Sequence, residues 1–146
     1  MKKMIITLML GMIGASAFAT EIKVNMLNIG TDKQAMVFEP AFVKAKVGDT
    51  ITFVSKEKGG HNSASVLVPK GAKTWKSTAD TDFSVKLEKE GVYLYNCEPH
   101  KMMGMVGVIQ VGSASNLKEA QEVAKTETAK MTMGKDRFEK ELKQVK

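Results

Sequence analysis

Apolar and polar residues alternate along most of this chain with the period of a strand. Ile22, Val24 and Met26 stand two apart, and Phe42 to Val47 alternates apolar residues with lysine. Gly48-Asp49 then turns into Thr50-Ile51-Thr52-Phe53-Val54. Ser65 to Val68 is a short apolar run stopped by Pro69, and Phe83, Val85 and Leu87 alternate with Ser84, Lys86 and Glu88. Gly91 turns into Val92-Tyr93-Leu94-Tyr95, and Met105 to Val111 reads as a last strand. Many short strands separated by turn residues predict a sandwich or barrel, not strand–helix–strand units. Tyr93, just past a turn, is either a tyrosine corner whose hydroxyl bonds back to the backbone or an ordinary half-buried strand aromatic.

After Gly112-Ser113 the period changes. Asn116-Leu117-Lys118-Glu119 places a capping residue three before a glutamate, which predicts a helix start. Leu117, Ala120, Val123 and Ala124 form a narrow apolar stripe, Gly134 interrupts it, and Phe138, Leu142 and Val145 form a second. Two short helices packed on the sandwich are expected.

The N-terminal segment reads as a tag. Lys2 and Lys3 precede an apolar run from Met4 through Ile13, which closes on Ala17-Phe18-Ala19. That small-x-small triplet is a signal-peptidase pattern, so residues 1–19 are expected to be a signal peptide and the mature chain to start at Thr20. The run is too short for a membrane span of about 20 residues, and no cysteine stands near the cut to carry a lipid. Expected domains are therefore a β-sandwich over 20–112 and C-terminal helices over 113–146 of the same unit.

Charge changes the picture only a little. The whole chain carries +6, and loss of Lys2 and Lys3 leaves 20 basic against 16 acidic residues, or +4. Lysines and acids are mixed, without the dense basic run with interleaved aromatics expected of a nucleic-acid binder. A diffuse positive surface suits steering toward an acidic protein partner. Cysteine usage changes it more. Cys97 is the single cysteine, so no internal disulfide is possible, and in an oxidising compartment a lone thiol invites another explanation.

Cys97-Glu98-Pro99-His100 followed by Met105 supplies one. A thiol, an imidazole three residues on and a thioether five further can fold around one point between two strands. Thiolate and imidazoles in a trigonal set with a weak axial thioether describe a blue-copper site. Structural zinc sites take four Cys or His ligands, and this chain has only three such residues. His61, in Gly59-Gly60-His61-Asn62, must be the second imidazole because the only other histidine is His100. The metal ligands expected are His61, Cys97, His100 and Met105, holding one copper that cycles between Cu(I) and Cu(II).

These residues resemble the pseudoazurins, small type 1 copper proteins of the periplasm. The resemblance spans essentially the whole mature chain: Met26-Leu27-Asn28, Ala35-Met36-Val37-Phe38-Glu39-Pro40, Gly48-Asp49-Thr50, Gly60-His61-Asn62 and the copper loop itself. It implies a mainly β, cupredoxin Greek-key β-sandwich with two short C-terminal α-helices, and the same four ligands. It also implies that Asn62 ties the first histidine's loop to the cysteine loop, and that Met36 and Pro99 lie near the exposed histidine. Gly59-Gly60, Lys101-Met102, Ile29 and Asn96 depart from the family pattern without touching a ligand.

The function implied is one-electron transfer, not enzymatic catalysis. His100 would be the port, with Met102, Met103 and Pro99 around it and Lys58, Lys73, Lys76 and Lys101 as a basic rim. Expected partners are redox proteins with acidic docking surfaces: a copper nitrite reductase or similar acceptor and a cytochrome-type donor. No nucleic acid and no membrane anchor are expected, and the protein is expected to be a periplasmic monomer. A copper-handling protein is the alternative, but four of the eleven methionines fall in the signal segment and only Met131-Thr132-Met133 approaches a Met-x-Met cluster. A thiol enzyme using Cys97 with His100 as base would lack an orienting acid and leave Met105 without a role.

Overall fold

A computed structural model describes residues 18–146. The expected signal segment, residues 1–19, lies outside the described residues except for Phe18 and Ala19. Among the described residues no helix is long and apolar enough to cross a membrane.

Two four-stranded sheets face each other. The first has the order β2-β1-β4-β6, from Ala35–Glu39, Glu21–Ile29, Thr50–Ser55 and Phe83–Lys86. The second has the order β3-β8-β7-β5, from Phe42–Ala45, Val106–Val111, Gly91–Asn96 and Ala64–Leu67. β1 runs parallel to β4 and β3 parallel to β8, so the chain crosses between sheets instead of folding as a simple meander. The architecture is thus the expected mainly β sandwich with two C-terminal helices, α1 (Leu117–Lys130) and α2 (Arg137–Leu142).

Burial follows the strand period. Val24, Met26, Ile51 and Phe53 of the first sheet meet Tyr93, Tyr95, Ile109 and Val111 of the second between the layers. The opposite face of β7 and β8 offers Val92, Leu94, Val106 and Val108, and Ala120, Ala124, Phe138 and Leu142 of the helices cover it. β7 and β8 are therefore buried on both faces, which is why they read as continuous apolar runs where the edge strands alternate. Each buried large aliphatic or aromatic side chain contributes roughly 1.5–3 kcal/mol by leaving water.

Two local expectations resolve differently. Tyr93 is a tyrosine corner: its Oη donates to Lys89 O at 2.7 Å. Asn116 does not cap α1 with its side chain. Its Oδ1 instead accepts from Val92 N at 2.7 Å and its Nδ2 donates to Val92 O at 2.9 Å, so it pins the helix start to β7. The bond to the strand wins because the buried Val92 peptide, beside the interruption at Gly91, would otherwise lack partners.

Candidate metal centre

One end of the sandwich collects the ends of β1, β4 and β7 and the start of β8. β7 buries Tyr93 and Tyr95 on its inner face, and the same two-residue period carries Cys97, just past the strand, inward beneath them. The loop then closes tightly. His100 N donates to Cys97 O at 3.1 Å, Lys101–Met103 forms a single 3₁₀ turn, and Cys97 N donates to Met105 O at 2.9 Å. Met105 N donates back to His100 O at 3.3 Å. The backbone thus brings positions 97, 100 and 105 around one point.

His61, Cys97 and His100 converge there, with one donor atom from each within 4.8 Å of the others. Cys97 Sγ lies 3.4 Å from His100 Nδ1 and 4.0 Å from His61 Nδ1. Donors reaching a common ion along arms of about 2.0–2.3 Å in a trigonal arrangement stand roughly 3.5–4 Å apart, so the spacing fits one metal ion. His61, Cys97 and Met105 are fully buried, and only His100 is partly open to solvent. Met105 belongs to the same core cluster as Cys97. All four sequence-predicted residues are therefore brought to this pole.

The surrounding shell sets their protonation and orientation. His61 Nε2 donates to Asn28 Oδ1 at 2.9 Å, which leaves the Nδ1 lone pair facing Cys97. Burial and the neighbouring His100 both lower the His61 pKa, which favours the neutral, ligating form; Asp80 and Glu57 oppose them. Burial raises the Cys97 thiol, opposed by backbone bonds from Asn62 and His100. Without metal the thiol is the stable form, so a cation is needed to draw out the thiolate. Asn62 N donates to Cys97 Sγ at 3.4 Å, while the Asn62 side chain accepts from Glu98 N at 2.9 Å and donates to Glu98 Oε2 at 3.1 Å. Those bonds join the histidine loop to the cysteine loop, as the resemblance implied.

Three contributors were not visible in the sequence. The Asp80 carboxylate accepts from the amides of Gly59, Gly60 and His61 at 3.0–3.2 Å and so shapes the first histidine's loop. Asn28 orients His61 from β1. Arg137 reaches the copper loop from α2. Long sequence separation and ordinary residue types hide all three. Of the expected basic rim, Lys101 and Lys73 are exposed, but Lys76 is paired with Glu98 at 2.9 Å and Lys58 Nζ donates to Asp80 O.

A buried thiol, two imidazoles and a thioether at one end of a two-sheet Greek-key sandwich define a copper protein of the cupredoxin class. Residues 24–112 match the family described as copper binding proteins, plastocyanin/azurin family. The chain is 40% identical over 136 residues to the pseudoazurin of Paracoccus pantotrophus, which covers 91% of this chain and 89% of that protein. It superposes on native pseudoazurin from Hyphomicrobium denitrificans with a TM-score of 0.76 at 35% identity, over 86% of this chain and 98% of that one. Pseudoazurin from Methylobacterium extorquens AM1 matches with a TM-score of 0.63 at 44% identity, over 67% and 80%. The chain belongs to the pseudoazurins within the plastocyanin/azurin family. It is a copper-binding electron carrier and not an enzyme.

Proposed function

We propose that His61, Cys97, His100 and Met105 hold one copper ion, and that the chain shuttles single electrons between redox proteins in the periplasm. The observation that carries this reading is the convergence of three donors in a buried pocket, with His61 already oriented by Asn28. Copper bound there supplies a Cu(I)/Cu(II) couple. The protein's own part is to hold the donors in one arrangement for both states. Asn62 fixes the thiol's loop, Asn28 fixes His61, and the two bonds between Met105 and the Cys97–His100 turn fix the thioether's backbone. Burial keeps water and other thiol chemistry away from Cys97.

His100 is the half-buried member and serves as the electron port. Pro99 and Met102 beside it are exposed, and Met103 and Met36 are half-buried. A small apolar face of this kind, with Lys101 at its edge, suits brief encounters with acidic redox partners. A copper nitrite reductase or a similar acceptor and a cytochrome-type donor are the partners that fit, and the mature chain begins at Thr20 as a monomer with its helices docked on the sandwich.

Adding Cu(II) to purified apoprotein tests the site. An intense thiolate-to-copper absorption in the visible, lost in Cys97→Ser, is expected, and a colourless product would sink the reading. Retention of that copper against a Cu(I) chelator through repeated redox cycles separates a carrier from a copper-handling protein, which would release it quickly.

A further inference from the structure

The three peptide carbonyls that immediately precede Met105 are all taken by the C-terminal helical segment. Met102 O accepts from Thr132 N at 2.8 Å, from Met133 N at 3.2 Å and from Thr132 Oγ1 at 2.9 Å. Met103 O and Gly104 O accept from Arg137 Nη1 at 3.4 and 2.9 Å. Arg137 then reaches to a second segment, the start of β2. Its Nη1 also donates to Met36 O at 2.7 Å, its Nη2 to Ala35 O at 2.9 Å and its Nε to Gln34 Oε1 at 3.2 Å. All three nitrogens of one guanidinium are spent on acceptors from residues 34–36 and 103–104. Arg137 forms no salt bridge among the described residues, so its charge is compensated by aimed carbonyl dipoles.

Backbone conformation around it is bent to make this possible. Met36 sits at φ 53°, outside the regions a non-glycine residue prefers, and is therefore strained. Such a residue persists where its surroundings over-determine it, and the bonds from Arg137 to Ala35 O and Met36 O do that. Gly134 marks the approach from the other side: a Cβ there would lie 2.9 Å from Arg137 Nε and 3.1 Å from Met103 O. Gly104 likewise abuts Gly134, with 2.9 Å from a Cβ to its Cα. The helix junction and the copper loop are thus in backbone contact, with the guanidinium as the part that locks them.

We propose that Arg137 is a positioning residue for the copper site: from α2 it fixes the backbone of Met103 and Gly104, and so the placement of Met105, while holding Met36 at the same pole. This rests on the copper reading for its spectroscopic consequence but not for its structural one. A plain role in docking α2 would affect stability alone. A positioning role also alters the loop itself.

The test compares Arg137→Gln and Arg137→Lys with Leu142→Ala, a change on the same helix that loosens α2 where it packs between α1 and the sandwich. In the full-length apoprotein, amide hydrogen exchange is read at Gly104 and Met105, whose N–H groups bond to Lys101 O and His100 O. Exchange there is expected to accelerate in Arg137→Gln, less in Arg137→Lys, and not in Leu142→Ala at matched global stability. After loading with Cu(II), only the Arg137 variants are expected to change the ratio of the visible copper bands, and copper release to a chelator should speed by about 10-fold or more in Arg137→Gln. Equal exchange and unchanged bands in Arg137→Gln and Leu142→Ala would overturn the proposal. If Arg137→Gln does not fold, Arg137→Lys decides alone: wild-type exchange and bands in it overturn the proposal. A wild-type protein that stays colourless with Cu(II) contradicts the copper reading and leaves the exchange comparison to judge Arg137.

Discussion

At the scale of single residues, the glycine doublet before His61 explains itself through one close approach. A Cβ at Gly59 would stand 2.2 Å from Asn28 Oδ1 and 2.7 Å from His61 Nε2. Gly59 is therefore the residue that lets Asn28 accept the imidazole proton. In the sequence the doublet was only a departure from the family pattern, because nothing local to residues 59–61 reveals a partner 33 positions away from His61. The candidate ligands were legible as a set, since their residue types and the spacing of 97, 100 and 105 carry the chemistry. Gly59→Ala is expected to displace Asn28 or the ring and weaken copper retention by about 10-fold or more, while Gly60, whose Cβ would meet nothing within 4 Å, reports on backbone strain instead. Competition with a calibrated copper chelator measures it; a Gly59→Ala protein with unchanged affinity would mean that the Asn28 contact does not orient His61.

Among the elements, β7 shows how far a pattern can be read. Its six residues are all buried, so the sequence gives no alternation to mark which face is which. The structure separates them: Val92 and Leu94 face the helices, Tyr93 and Tyr95 face the other sheet, and the second set leads directly to Cys97. Strands were legible where one face meets water, as in β6, and β2 was not read as a strand because Met36 interrupts its conformation and Arg137, about 100 residues on, holds it. The two tyrosines offer a matched pair. Tyr93 Oη donates to Lys89 O, whereas Tyr95 Oη is buried with no hydrogen-bond partner among the described residues. Tyr93→Phe should cost about 1 kcal/mol by leaving a carbonyl without its donor. Tyr95→Phe removes a hydroxyl that gains nothing from burial, so it should be neutral or stabilising. Paired urea titrations check both, and a Tyr95→Phe protein less stable than Tyr93→Phe would contradict the assignment.

Across the whole molecule, the pole opposite the copper site is closed by one carboxylate. Asp49 Oδ1 accepts from Thr20 N and Oδ2 from Lys46 N, each at 2.8 Å, so one side chain joins the start of β1 to the β3–β4 turn. Those bonds, Thr20's first, lower its pKa below the ordinary 3.8. A depressed carboxylate stabilises the fold above its ordinary pKa, and that contribution fades as pH falls through the lower, folded value. Asp49→Asn should therefore cost about 1–3 kcal/mol at pH 7 and progressively less below pH of about 4. Urea titrations at neutral and acid pH would show the gap between variant and wild type closing; a gap independent of pH would rule this account out.

Exposed lysine charge at the copper pole acts on the rate of encounter. Lys101 is exposed on the copper loop next to His100, whereas Lys86 is exposed on β6 opposite Thr50, the end of β4 away from the site. Reversing either lysine to glutamate changes the net charge by the same amount. Screening at physiological ionic strength limits exposed charges to about 8 Å, so only a charge near the contact should steer an acidic partner. Lys101→Glu is expected to slow electron transfer to such a partner and to flatten its decline with added salt, while Lys86→Glu stays close to wild type. Stopped-flow rates across a salt series distinguish the two. Equal slowing by both variants would mean that net charge governs the encounter, and no slowing by Lys101→Glu would move the docking face away from His100.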